Sequence, residues 1–297
     1  MSGEAELVIA RSSGGGPRGR AIGLAGVAAL LVASLSGCSW DEAIRFGWPK
    51  GISPQAESMQ ELWIGSTIAA LVVGVFVWGL IFWCAIRYRK KGDALPLQTR
   101  YNLPIEVLYT VVPFLVVSVL FYYTALSQTY IDKRSERPDV TVSVVAAKWT
   151  WKFAYPEERG QDDPAIETVG APDEVPILVV PTDRTIRFVE TSDDVIHSFW
   201  VPDILFKRDV IPGRQNSFEI TVTEPGAYVG RCAELCGTYH SNMNFEMRAV
   251  SASDYDRWIE AKKDGMSTAD ALEAIGEEPL ATTTHPFDPD RAARKPS

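Results

Sequence analysis

Histidine and cysteine are scarce in this chain, with three and four among 297 residues. Four Cys in so long a sequence are too few for a fold held together by disulfides. The pattern Cys-x-x-Cys-His is missing, so no c-type haem is attached to this polypeptide. An excess of basic charge is missing as well. Lys and Arg number 29 against 38 Asp and Glu, a formal net charge of −9, which excludes a general nucleic-acid binder with its basic contact face. Hydrophobic residues make up 46% of the chain, so global disorder is excluded. No internal repeat is visible.

What is present falls into two parts. Residues 1–130 carry 10 basic and 8 acidic side chains, and residues 131–297 carry 19 and 30. The long apolar runs lie in the first part, which makes the chain a membrane anchor followed by an acidic soluble domain. Arg11, Arg18 and Arg20 precede 16 uncharged residues from Ala21 to Ser36, the layout of a secretory signal whose core is short for a membrane span. That run ends in Leu35-Ser36-Gly37-Cys38, similar to a bacterial lipobox. The expectation is a lipoprotein-type signal over 1–37, with Cys38 the lipid-modified first mature residue. An uncleaved anchor is the alternative.

Residues 38–61 then form an extracytoplasmic segment, and 62–130 hold two membrane spans. Leu62–Ile86 is 25 residues without a charge and Val107–Thr129 is 23, each longer than the ~20 needed to cross a bilayer core. Pro113 lies in the second span, where membrane helices tolerate it. In the connecting loop, 87–103, Arg87, Arg89, Lys90, Lys91 and Arg100 face the single acid Asp93. The positive-inside rule makes that loop cytoplasmic and places everything after residue 130 outside. Cys84, alone in the first span, reads as a packing residue. Glu106 stands at the cytoplasmic edge of the second span, either as an interfacial acid reaching water or as a carboxylate on an ion pathway.

Beyond residue 138 the period changes to alternation. Val140, Val142 and Val144 alternate with Thr141 and Ser143, and similar runs follow at 149–153, 177–180, 185–190, 197–201, 217–222, 227–231 and 245–250. Seven or eight short strands with Pro-Gly turns between them predict a β-sandwich or barrel over 139–250. The acidic stretch 157–174 reads as an exposed connection. Residues 251–297 comprise a helix from about Ser253, its N-cap, to Lys263, then a polar tail from Asp264 that contains His285.

One segment carries the chemistry. Cys232, Cys236, His240 and Met243 fall within 12 residues, and His197 lies on another expected strand. Thiolate and thioether are soft ligands suited to copper, while imidazole suits copper or zinc. The spacing also matches one face of a helix, although Gly226, Gly230 and Gly237 favour a loop. A Cys232–Cys236 disulfide leaves His240 and Met243 unexplained, and a closed zinc site has no use for Met243. A mononuclear blue-copper site uses one Cys rather than two. Two bridging thiolates with a His on each side suit a pair of copper ions.

At these residues the sequence resembles subunit II of haem–copper cytochrome c oxidases, over about residues 55–263. The segment from Asp194 through His197 to Pro202, the stretch Lys207 to Arg214 and the ligand spacing from Cys232 to Met243 carry the resemblance. It implies a two-helix transmembrane hairpin followed by a cupredoxin-like β-barrel, a membrane-anchored all-β fold. It also implies a dinuclear CuA centre bridged by Cys232 and Cys236 and capped by His197 and His240, with Met243 a weak ligand to one copper and the Glu234 carbonyl to the other. The Glu234 carboxylate would reach a magnesium ion at the boundary with subunit I. Trp149, in Trp149-Thr150-Trp151, would take the electron from cytochrome c, although the family's usual aromatic is Thr150 here. Glu106, followed by Thr110 and Pro113, resembles the acid at the mouth of a proton channel. Asn244 stands where the family usually has Pro after the Met ligand.

The resemblance makes the chain a plasma-membrane subunit of an aa3-type, proton-translocating oxidase. Its partners would be subunit I, other oxidase subunits, a c-type cytochrome donor and membrane lipid. Oxygen chemistry needs more His than the one left over, His285, so it would reside in another subunit. A copper-free quinol oxidase subunit would have lost the ligands. A copper-delivery protein would need an exchangeable site, and a nitrous oxide reductase would need a further large domain.

Overall fold

The computed structural model describes residues 39–93, 95–156, 166–171 and 174–285. The expected signal, Cys38, the middle of the acidic connection and the end of the tail lie outside the described residues. The chain divides into two units, Met1–Gly47 and Trp48–Ser297. In the first, helix α1 (Trp40–Ile44) is closed by a reciprocal cap: Glu42 N–H donates to Ser39 Oγ, and Ser39 N–H donates to the Glu42 carboxylate, each at 3.1 Å.

The second unit opens with two long helices, α2 (Pro54–Arg87) and α3 (Leu103–Ile131). Their 34 and 29 residues extend about 51 and 44 Å at 1.5 Å per residue, more than the hydrocarbon core. The helix α2 begins eight residues before its uncharged run, because capping rather than apolarity sets its start. Ser53 Oγ accepts the Ala56 N–H (3.0 Å) and Pro54 takes a first-turn position that needs no N–H partner. Along α3 the hydroxyls of Thr110, Ser118, Thr124 and Thr129 each donate to the carbonyl four residues back, at 2.7–2.8 Å. Polar groups inside an apolar helix are thereby satisfied without water. Ser58 and Ser127 join the two helices through their hydroxyls at 3.0 Å.

Among the described residues ten strands follow: β1 (Val140–Ala147), β2 (Thr150–Ala154), β3 (Glu167–Val169), β4 (Ile177–Pro181), β5 (Thr185–Ser192), β6 (His197–Val201), β7 (Phe206–Val210), β8 (Asn216–Thr221), β9 (Gly226–Cys232) and β10 (Asn244–Val250). They form two five-stranded sheets, β3-β2-β1-β5-β8 and β4-β10-β9-β6-β7. The pairs β1/β5 and β4/β10 are parallel and the rest antiparallel. Val142, Val144, Phe153, Phe188, Phe199, Phe245 and Met247 are among the fully buried residues of one core. Met247 therefore packs in the core rather than at the metal loop. The architecture is a cupredoxin-like sandwich closed toward a half-barrel.

Three expectations need correction. The stretch 157–174 is not wholly an exposed connection: Ile166 and Thr168 are buried, and β3 pairs with β2. Three residues are too few for alternation to show in sequence. Strand β7 also escaped, because as an edge strand it carries Lys207, Arg208 and Asp209. The last change concerns the carboxy-terminal part. Helix α4 (Ala252–Lys263) is capped by Ser251 rather than Ser253, and within the expected polar tail a further helix α5 (Thr268–Ala274) buries Ala271 and Leu272.

The domain is fastened to the membrane hairpin at several points. Ile52 N–H donates to the Asp203 carbonyl (3.1 Å) and its own carbonyl accepts from Thr223 N–H (2.9 Å). At the end of α3, Arg208 donates to Asp132 (2.9 Å), and Arg134 donates to the Ser217 hydroxyl (2.7 Å) and carbonyl (2.5 Å).

Candidate metal centre

Pairing of β6 with β9 sets Phe199 opposite Cys232 and carries His197 to the end of the sandwich where the Cys-rich loop begins. The loop 233–243 is pinned at both ends: Cys232 N–H donates to the Met243 carbonyl (3.0 Å) and Ala233 N–H to the Ser198 carbonyl (3.0 Å). The Met243 carbonyl also accepts from the buried Trp151 indole N–H at 3.2 Å. A single 3-10 turn, His240–Asn242, brings the chain back into β10. The helical-face reading of this segment is thus replaced by a loop between strands.

Six donor groups converge in a definite order. The Sγ atoms of Cys232 and Cys236 are 3.8 Å apart, far beyond the ~2.05 Å of a disulfide, and both residues are free thiols. His197 Nδ1 lies 3.8 Å from Cys232 Sγ, and His240 Nδ1 lies 3.7 Å from Cys236 Sγ. The Glu234 carbonyl lies 3.3 Å from Cys232 Sγ, and Met243 Sδ 3.8 Å from Cys236 Sγ. The ligand atoms of His197, Cys232 and Cys236 lie within 4.8 Å of one another, enough by themselves to hold a metal ion. All six groups exceed what one tetrahedral ion takes. They divide evenly between two positions that share the sulfurs, each with one imidazole and one weaker donor. The residues present therefore fit a copper pair.

Electrostatics prepare these donors. Asp194 Oδ1 accepts the Nε2–H of His197 at 2.8 Å, leaving Nδ1 turned toward the thiol. Burial opposes a charged Asp194, but hydrogen bonds from His197, Lys148 N–H and Val195 N–H outweigh it and hold the carboxyl below its ordinary range. Burial likewise disfavours a thiolate at Cys232. Hydrogen bonding with His197, the Glu234 and Ser198 backbone and His240 prevails and lowers its pKa to about 6, whereas burial and the neighbouring Cys232 charge push Cys236 up to about 12. The two thiols titrate as a pair, and the second proton leaves readily only when a cation takes its place.

Trp149 sits at the β1–β2 turn beside this loop, edge-on to Tyr239 with ring centroids 4.7 Å apart. Glu234 is exposed. Glu106 is not brought to the centre. It stands at the far end of α3, where its carboxylate accepts the Asn102 N–H at 2.8 Å and so closes the helix start. Cys84 is exposed on α2, and His285 is exposed in the tail. Sequence reasoning gave no role to Asp194, Gly237 or Tyr239. An acid three residues before His197 was the readable signal for the first. The other two needed the loop geometry.

The chain is similar to known proteins over both its membrane helices and its β-domain. Residues 140–250 match the family described as cytochrome C oxidase subunit II, periplasmic domain, and residues 42–125 match its transmembrane domain. A probable cytochrome c oxidase subunit 2 of Nocardia farcinica is 43% identical, covering 91% of this chain and 87% of its own. Cytochrome c oxidase subunit 2 of Mycobacterium tuberculosis is 42% identical, covering 96% and 94%. Among solved structures, the periplasmic domain of cytochrome oxidase subunit II of Bradyrhizobium japonicum is 30% identical over 45% of this chain and all of that one, with a TM-score of 0.40. Two apolar helices thus anchor a domain of periplasmic type, and the chain belongs to the cytochrome c oxidase subunit II family.

Proposed function

We propose that this chain accepts electrons from cytochrome c at a dinuclear CuA centre and passes them to haem in subunit I of an aa3-type oxidase that reduces oxygen and pumps protons. The observation that carries this reading is the order of donors across two thiols 3.8 Å apart, one imidazole and one weak donor on each side. Cys232, Cys236, His197 and His240 would hold the copper pair, with Met243 and the Glu234 carbonyl as the weaker donors. A bound copper pair would supply one-electron transfer with its charge spread over both ions and both sulfurs.

The protein's own contribution is rigidity and exclusion of water. Buried His197, Cys232, Cys236 and Met243 sit on strand ends and a pinned loop, so a change of oxidation state meets ligands that barely move. Trp149 would receive the electron, because it is half-buried against the metal loop. The Glu234 carboxylate, exposed beside the centre, would face subunit I and a magnesium ion there. Glu106 would stand at a proton-channel mouth on the cytoplasmic side, and Cys38 would carry lipid after removal of residues 1–37. The cytoplasmic loop 87–103 and extracytoplasmic domain 139–250 complete the multi-pass topology in the plasma membrane.

Purification of the full chain in detergent, copper loading, metal analysis and paramagnetic resonance test this reading. Two copper ions per chain with one unpaired electron shared by two nuclei is the expected result. One copper with a single-nucleus spectrum would replace it with a blue-copper site, and no stable copper with a copper-free structural subunit. Rapid copper loss to a chelator would point to delivery instead.

A further inference from the structure

The Trp149 indole, at the β1–β2 turn, packs against the metal-binding loop. Tyr239 meets it edge-to-face, with centroids 4.7 Å apart and an interplanar angle of 85°. On another side Gly237, at φ +131°, leaves room that a Cβ would fill at 3.2 Å from both Nε1 and Cζ2 of the indole. The indole N–H is buried and has no hydrogen-bond partner among the described residues, so packing contacts, the Tyr239 ring among them, orient it. The next residue, Thr150 at the start of β2, offers no second ring. Tyr239 is followed directly by His240, whose Nδ1 faces Cys236 Sγ at 3.7 Å. At 39% exposure Tyr239 also reaches the surface beside Trp149.

We propose that Tyr239 is a positioning residue that holds the Trp149 indole in the orientation through which the electron arrives, supplying from the metal loop the aromatic partner that Thr150 does not. The proposal rests on the reading of Trp149 as the electron acceptor residue. In the step concerned, one electron leaves a ferrous c-type haem of the donor, which becomes ferric, and reduces the oxidised copper pair by one electron. No bond breaks and no proton moves. Tyr239 does not exchange the electron. It keeps the indole between donor and loop, and an edge-to-face pair of this kind raises the held population about two- to tenfold.

The test uses the assembled oxidase with Tyr239→Leu, Tyr239→Phe or Trp149→Phe, reduced in a stopped-flow instrument by ferrous soluble cytochrome c and, separately, by hexaammineruthenium(II). A readout independent of metal is the indole N–H resonance of Trp149 in the copper-free full chain, assigned by its loss in Trp149→Phe. Tyr239→Leu is expected to shift and broaden that resonance and to slow reduction by cytochrome c about two- to tenfold. Reduction by hexaammineruthenium(II) and the paramagnetic spectrum should not change, and Tyr239→Phe, which keeps the ring, should restore both resonance and rate. A normal rate in Tyr239→Leu beside a slow Trp149→Phe overturns the role of Tyr239 alone. A normal rate in Trp149→Phe overturns the underlying reading of Trp149. Equal slowing by both reductants in Tyr239→Leu shows general damage to the loop and also overturns the proposal.

Discussion

At the scale of single residues, acidic groups do the least visible work. Asp194 touches the proposed centre only through His197, yet one carboxylate fixes the ring's proton on Nε2 and accepts the backbone N–H of Lys148, next to Trp149. Removing such a support typically costs 10–100-fold in metal affinity. Asp194→Ala should therefore weaken copper binding by about that factor, measured by competition with a calibrated chelator, while the fold stays intact by circular dichroism.

Glu190 is the opposite case. Its side chain is fully buried on β5, and neither carboxylate oxygen has a hydrogen-bond partner among the described residues. Burial pushes its pKa up to about 9 despite Arg208, whose charge opposes the rise, and with Asp209 adding to it. The folded protein therefore holds a proton that the unfolded chain releases above the ordinary carboxylate range. Stability contributed by this group is complete below about pH 4.5 and is lost as pH climbs toward about 9, by at most about 1.4 kcal/mol per pH unit. Glu190→Gln should flatten that dependence, as followed by denaturant titrations across this range. An unchanged pH profile would refute the assignment.

At the scale of elements, β10 shows how the tail earns its order. It is buried on both faces: Phe245 and Met247 enter the core, while Glu246 and Arg248 pair beneath the carboxy-terminal segment. Thr282 and Thr283 donate backbone N–H groups to Glu246 at 2.7 and 2.8 Å, and Arg248 donates to Glu277 and to the carbonyls of Glu278 and Leu280. Burial would raise the Glu246 pKa, but Arg248 and the two threonines keep it low, so this stabilisation is present at neutral pH and is lost as pH falls below the ordinary carboxylate range. Arg248→Leu leaves Glu246 buried and unpaired and should cost about 3–5 kcal/mol. The double change Glu246→Gln with Arg248→Leu should cost less, and denaturant midpoints of the two variants decide it.

Element boundaries also show where sequence was legible. The eight strands with four or more alternating or apolar residues could be read directly, from Val140–Ala147 to Asn244–Val250. Three-residue β3 and charged edge strand β7 could not, because neither buries a periodic face. The tail reads as polar because its polar atoms satisfy a buried ion pair, a purpose that local pattern does not reveal.

At the scale of the whole molecule, the hairpin and the β-domain meet through a tight turn. A Cβ at Gly51 would lie 2.8 Å from the Ala56 Cβ, just where Ile52 bonds Asp203 and Thr223. Gly51→Val should shift the first turn of α2 and loosen the domain from its anchor. Faster proteolytic release of the β-domain from membranes, and a lower yield of assembled oxidase, are the expected outcomes.

Composition and periodicity by themselves determined the two apolar spans, the basic loop between them, the strand-rich acidic domain and the clustering of Cys, His and Met in one segment. Those features depend on transfer of side chains from water and on local backbone preference, both of which act over a few residues. Tertiary structure alone decided which sulfur faces which imidazole and that Tyr239 stands against Trp149. These are meetings between segments distant in sequence, or reversals within a loop, and only the pairing of β6 with β9 and the pinning of the loop to its neighbours bring them within bonding distance.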